Sequence, residues 1–215
     1  MSIHKQQMEE LNQRIQNEFC NDTYMGLSDA SLMDEYRNCK SVQNEIHKLT
    51  NVLSKHVDAD IVPLILQEYM RELIPAGTKA VIRGNKFNKM VQTHIESLGL
   101  NHDIYEVHFE KKCATHPTSE IPDWYIRDKT TNRIIIGMNQ LDLISGGQQL
   151  NRGYKYLVDN QHNTDNSKLL CVICNPVVFA SDKNKAFRLF EIGYANNTLC
   201  YMKNLHTIIR LYFHR

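Results

Sequence analysis

The stretch from Ile121 to Tyr156, IPDWYIRDKTTNRIIIGMNQLDLISGGQQLNRGYKY, constrains the fold more than any other part of this chain. IPDWYIRD reads as a strand, Lys129-Thr-Thr-Asn132 as a tight turn, and RIIIGMNQLDL as the next strand, nearly continuous in apolar residues at its start. A hairpin is therefore predicted at the centre of the chain. Gly146-Gly147 then open a dense polar run, unusual for a segment lying between core elements.

The surrounding pattern extends this hairpin into a layered domain. Upstream, Phe87, Met90, Val91, Ile95 and Leu98 recur at helical spacing, and Gly99 stands where a helix should stop. Residues 103–112 alternate as a strand, with Ile104, Val107 and Phe109 apolar. Downstream, QQLNRGYKYLVDNQ reads as a helix, KLLCVICNPVVF as a buried strand, Lys183–Tyr194 as a helix and LCYMKNL as a last strand before a short amphipathic helix. This order indicates an α/β fold, a mixed central sheet with helices on both faces.

The first 76 residues read differently. Met8, Leu11, Ile15 and Phe19 predict a helix over about residues 3–19. A second, capped by Ser28 or Ser31, carries Leu32, Tyr36, Val42, Ile46, Leu49, Val52 and Leu53. A third spans about Ile61–Leu73 and ends before Pro75-Ala76-Gly77. The expected division is an N-terminal helical subdomain, 1–76, and an α/β core, 77–215.

Composition narrows the function classes. In 215 residues the net charge is +1, so a polyanion site must come from a local cluster rather than a global field. One such cluster is Arg83, Lys86 and Lys89, read as a basic loop entering a helix whose N–H groups favour phosphate. The N-terminus lacks the apolar core of a signal peptide, and no apolar run is long enough for a membrane span. Six scattered cysteines fit reduced thiols in an intracellular protein. Cys171-Val-Ile-Cys174 has zinc-like spacing, but within a strand its two thiols point to opposite faces. The ten histidines form no ligand pair, and there is no P-loop or dinucleotide fingerprint.

Phosphodiester hydrolysis needs a hard divalent cation on oxygen ligands, and a hairpin that starts one strand with Asp and faces partners from the next supplies them. On these residues the chain resembles the PD-(D/E)XK nuclease superfamily, which includes many type II restriction endonucleases. Pro122-Asp123 matches the Pro-Asp element. Gly137-Met138-Asn139-Gln140, about 15 residues on, occupies the place of (D/E)XK, and GNKFNKMVQTHIESLGL looks like the family's first helix. The resemblance covers roughly residues 78–203. The run NQLDLISGGQQLNRGYKY also looks like restriction-endonuclease-type proteins of large DNA viruses.

The chain departs from the family pattern at three places. Asn88 stands where the first helix often carries Glu. In one register Met138 takes the acidic position and Gln140 the lysine position; shifted by one residue, these become Asn139 and Leu141. Nearby replacements are Asp142, Glu110 and Glu120 for the missing carboxylate and Lys155 for the lysine.

The resemblance thus implies a restriction-endonuclease-like fold and a metal-dependent endonuclease acting on duplex DNA with Mg2+, or Mn2+ in its place. Asp123, Asp142 and Glu110 would hold the metal, and Asn139, Gln140 and Lys155 would complete the catalytic set. Arg83, Lys86, Lys89, Gln148, Gln149, Asn151 and Arg152 would contact DNA. A homodimer is expected if a palindromic site is read. The rivals are a DNA-binding module that has lost catalysis and an interaction protein working through its N-terminal helices.

Overall fold

The computed structural model describes residues 6, 9–10, 13, 26–115, 120–141, 151–158, 163–174 and 185–214. Five strands form one mixed sheet in the order of the chain: β1 (Tyr105–Phe109), β2 (Trp124–Asp128), β3 (Ile134–Gln140), β4 (Ser167–Ile173) and β5 (Leu199–Tyr201). The first three pair antiparallel, and β3, β4 and β5 pair parallel. Among the described residues, the named helices that precede β1 in the chain are α1 (Met33–Arg37), α2 (Lys40–Leu53), α3 (Val62–Glu68), α4 (Met70–Leu73) and α5 (Ala76–Glu96); α6 (Lys185–Ala195) joins β4 to β5, and α7 (Met202–Phe213) follows β5. The coarse expectation of an α/β chain with a mixed sheet flanked by helices is therefore met. No described helix is long and apolar enough to cross a membrane.

The β2–β3 hairpin forms where the sequence predicts it. Asp128 ends β2 and accepts at one carboxylate oxygen from the Thr130 amide (2.8 Å), the Thr130 hydroxyl (2.7 Å) and the Thr131 amide (3.2 Å). Asn132 takes the left-handed conformation (φ 59°), which asparagine tolerates in turns. The turn sets the register, with Trp124 opposite Gly137 and Arg127 opposite Ile134. Because side chains alternate, that register decides every facing in β3.

Ile134, Ile136 and Met138 pack on one face with Tyr125, Leu169, Cys171, Ile173, Leu199 and Tyr201 from the sheet and with Tyr156, Leu157 and Leu189 above it. Cys171 is fully buried there as a small apolar side chain. Trp124, Ile126, Ile135, Leu170 and Val172 are buried facing the other way. Phe87, Val91 and Ile95 form the buried stripe of α5, and Gly99 follows its end at φ 60°, the expected stop.

Local chemistry explains where helices depart from expectation. The second predicted helix is two, α1 and α2, because Cys39 is extended (ψ 128°) between them. The third is broken at Tyr69 into α3 and α4. The last strand is only three residues, because Asn204 accepts from the Tyr201 amide (2.7 Å) and starts α7 at Met202. Of the first predicted helix, Gln6, Glu9, Glu10 and Gln13 are helical; the remainder lies outside the described residues. The largest correction concerns α5, which begins at Ala76 just after Pro75. Gly84 lies in its interior, where a glycine costs only about 1 kcal/mol and does not by itself end a helix.

The chain divides into two compact units, Met25–Lys86 and Met1–Tyr24 with Phe87–Arg215. The first has a core of its own in Leu32, Tyr36, Val42 and Ile74, with Met33, Cys39, Ile46 and Ile82 against it. In the second, residues 151–153 are helical and Tyr154–Val158 widen into a π turn. The Leu157 carbonyl in that turn accepts from the Thr198 hydroxyl (3.1 Å) and the Asn196 amide (3.2 Å).

Asp128 gives the fold a measurable pH dependence. Burial disfavours its charge, but the Thr130 and Thr131 donors outweigh burial and lower its pKa from 3.8 to about 2. A carboxyl with a depressed folded pKa stabilises above its unfolded pKa and loses that contribution as pH falls through the folded value. Asp128→Ala should therefore cost about 2 kcal/mol at neutral pH, with the difference shrinking between about pH 4 and pH 2, read from urea midpoints.

Candidate functional site

At the end of the hairpin, three segments distant in sequence meet around one carboxylate. Asp123 precedes β2, Asn139 sits near the end of β3, and Asn88 flanks the buried stripe of α5. Asp123 Oδ2 accepts from the Asn139 backbone amide at 2.6 Å, and its Oδ1 accepts from the Asn88 side-chain amide at 3.2 Å. Asn139 Nδ2 donates to Asn88 Oδ1 at 3.1 Å, and the Trp124 indole donates to Asn139 Oδ1 at 3.1 Å. Behind them the indole occupies the space over Gly137, where a Cβ would overlap the ring. The Asp123 carbonyl is also used, accepting from the Glu110 amide at 2.9 Å, with Glu110 in the left-handed region (φ 47°).

The electrostatics of Asp123 follow from this setting. Burial raises its pKa, the Asn139 and Asn88 donors offset part of that rise, the Glu110 charge adds to it and the Arg152 charge opposes it. No ion pair reaches Asp123 among the described residues. The site therefore has a half-buried carboxylate stabilised by neutral donors, with one acidic and one basic neighbour at longer range.

The register of β3 brings Asn139, and not Met138, beside Asp123. Met138 lies in the opposite core, and alternation puts Gln140 on that same far face. Gln140 is thus corrected: it is not brought to Asp123.

Lys155 is engaged elsewhere, 2.8 Å from Glu120, which also accepts from the Tyr156 hydroxyl at 2.9 Å. Burial raises the Glu120 pKa, but Lys155, Tyr156 and the Arg152 charge more than compensate, and the net shift is downward. Burial and Glu120 together push the Tyr156 phenol far up. The cation whose charge reaches Asp123 is Arg152, exposed on the helical turn with Asn151. Asp142, Gln148 and Gln149 lie outside the described residues.

The basic cluster on α5 is also corrected. Arg83, Lys86 and Lys89 stand inside a helix whose backbone amides are already bonded, so no helix N-terminus is available beside them for phosphate. Lys86 pairs with Glu35 at 2.9 Å, and Lys79, one turn before Arg83, pairs with Asp29 at 3.3 Å. Lys89 is exposed.

The contact of Trp124 with the site is not among the features that the sequence singles out. The available signal was the pairing of the chain's single tryptophan, next to Asp123, with a glycine across a short hairpin. Among the described residues no three His, Cys, Asp or Glu side chains cluster as a ready metal site. No protein-family model, curated protein or solved structure matches the chain.

Two substitutions test this geometry. Asn139→Ala strands the Trp124 indole and the Asn88 carbonyl and should cost roughly 2–4 kcal/mol in urea unfolding. Gly137→Ala forces the indole out of its place and should cost roughly 3 kcal/mol by the same measurement.

Proposed function

We propose that this chain is a metal-dependent endodeoxyribonuclease of restriction type, with a PD-(D/E)XK-like fold, that hydrolyses phosphodiester bonds in duplex DNA. One observation carries the reading: Asn88, Asp123 and Asn139 meet in a single hydrogen-bonded cluster. They come from the three segments that the resemblance equates with the family's first helix, Pro-Asp element and (D/E)XK strand.

The donor chemistry fits Mg2+ or Mn2+. Magnesium is commonly held by one or two carboxylates, with water and substrate phosphate filling the remaining positions. Asp123 is such a carboxylate, partly buried and in no ion pair among the described residues, and the Glu110 charge acts on it. A bound metal would polarise the phosphoryl oxygen and lower the pKa of a bound water. The chain's own groups do the rest. The Asn88 and Asn139 amides hold the carboxylate in place, and Arg152 offers positive charge to a phosphate. DNA of palindromic sequence would be met by two copies related by a two-fold axis.

A second reading is favoured by the register itself. With Asn139 and Leu141 at the acidic and lysine positions, neither position of that element carries a carboxylate or a lysine. A DNA-binding module without cleavage fits that composition, and it predicts salt-sensitive binding.

Plasmid DNA incubated with the protein, with and without Mg2+ or Mn2+, separates the two. The nuclease reading expects metal-dependent fragments and a rate loss on the order of a hundredfold or more in Asp123→Ala. Intact plasmid with a salt-sensitive gel shift supports the binding module, and neither cleavage nor shift sinks both.

A further inference from the structure

The hydrogen bonds around Asp123 run in one direction, and donor chemistry at each end requires that direction. An indole nitrogen only donates, so the atom of Asn139 facing Trp124 must be its carbonyl oxygen. That choice turns Asn139 Nδ2 toward Asn88 Oδ1, which turns Asn88 Nδ2 toward Asp123. At the far end an ionised carboxylate only accepts, which demands the same order. The Asn139 backbone amide closes the cycle on the other carboxylate oxygen.

We propose that Trp124 is a positioning residue of this site, fixing at the inner end the amide order that Asp123 requires at the outer end, so that the Asn88 amide presents its N–H to the carboxylate. Without the indole donor the relay loses the group that forbids reversal at its inner end. A reversed relay would set the Asn88 oxygen against the Asp123 oxygen, two acceptors at hydrogen-bond distance. Gly137 is part of the device, since any side chain there would displace the indole. Both amide oxygens accept within the relay, so Asn88 and Asn139 hold Asp123 in place. The consequence for cleavage rests on the nuclease reading; the orientation of the amides does not.

Trp124 is the sole tryptophan, so the protein has one indole N–H resonance in a proton–nitrogen correlation spectrum. The test follows that resonance in Asn88→Ala and Asn88→Leu, which leave the chain neighbours of Trp124 and its hydrogen-bond partner in place. Movement of the resonance in both variants, with the remaining spectrum folded, is the expected result, because the change passes along the relay. An indole resonance left in place in both overturns the proposal.

A benzothiophene analogue at position 124 retains the ring shape and lacks the N–H. It should reduce the rate of metal-dependent cleavage about tenfold, the scale of one hydrogen bond, with KM changed less. Unchanged kcat in a protein that cleaves also overturns the proposal. Failure of cleavage under every metal, with the resonance shifts present, overturns the nuclease reading alone.

Discussion

The indole of Trp124 lies where a side chain at position 137 would have to be. That exclusion ties the two strands of the hairpin together at the end that carries Asp123. The buried ring fills the sheet face toward α5, and its one polar atom is spent on Asn139. A buried indole N–H without a partner is costly, so packing of the ring and orientation of the site are energetically coupled. The other end of the hairpin is tied by Asp128, whose carboxylate gathers the turn amides. Between the two ties, slippage by one residue would exchange the core face of β3 with the site face.

That slippage is also what limited the sequence reading. The hairpin, the buried third strand and the stop at Gly99 were all legible, because each follows from residue type and local spacing. Whether Met138 or Asn139 faces Asp123 was not. Apolar residues on both faces of β3 erase the alternation that would reveal its phase, and the choice rests on the turn that ends at Asn132. Similarly, Gly84 and its basic neighbours looked like a loop, while the helix had already begun at Ala76. A weak local breaker was overridden by side chains on both sides of it, Ile82 in one core and Phe87 in the other. The role of Trp124 requires knowing which residue sits across the hairpin, information that composition does not contain.

The charges on α5 show how a basic-looking sequence becomes electrically quiet. Lys79 and Lys86 both find carboxylates within the helical unit, and the Tyr36 hydroxyl donates to the same Asp29 that Lys79 meets. These pairs are partly exposed, so each contributes little to stability. They still remove two cations from the field that a polyanion would sense. In the α/β unit the positive charge that acts on Asp123 is that of Arg152, on the helical residues that lead into the widened turn, whose Leu157 carbonyl is held by Thr198 and Asn196.

The sheet ends in two short margins. β1 is five residues long and leads into Glu110, Lys111 and Lys112, and β5 lasts three residues before the chain coils into α7. Neither margin offers a long, flat run of unpaired backbone among the described residues. Growth of the sheet by addition of another molecule's strand is thereby discouraged, with lysines at one border and a helix at the other. Two copies that associate would then meet through helices and loops, leaving each sheet a closed unit with its own hairpin and its own Asp123.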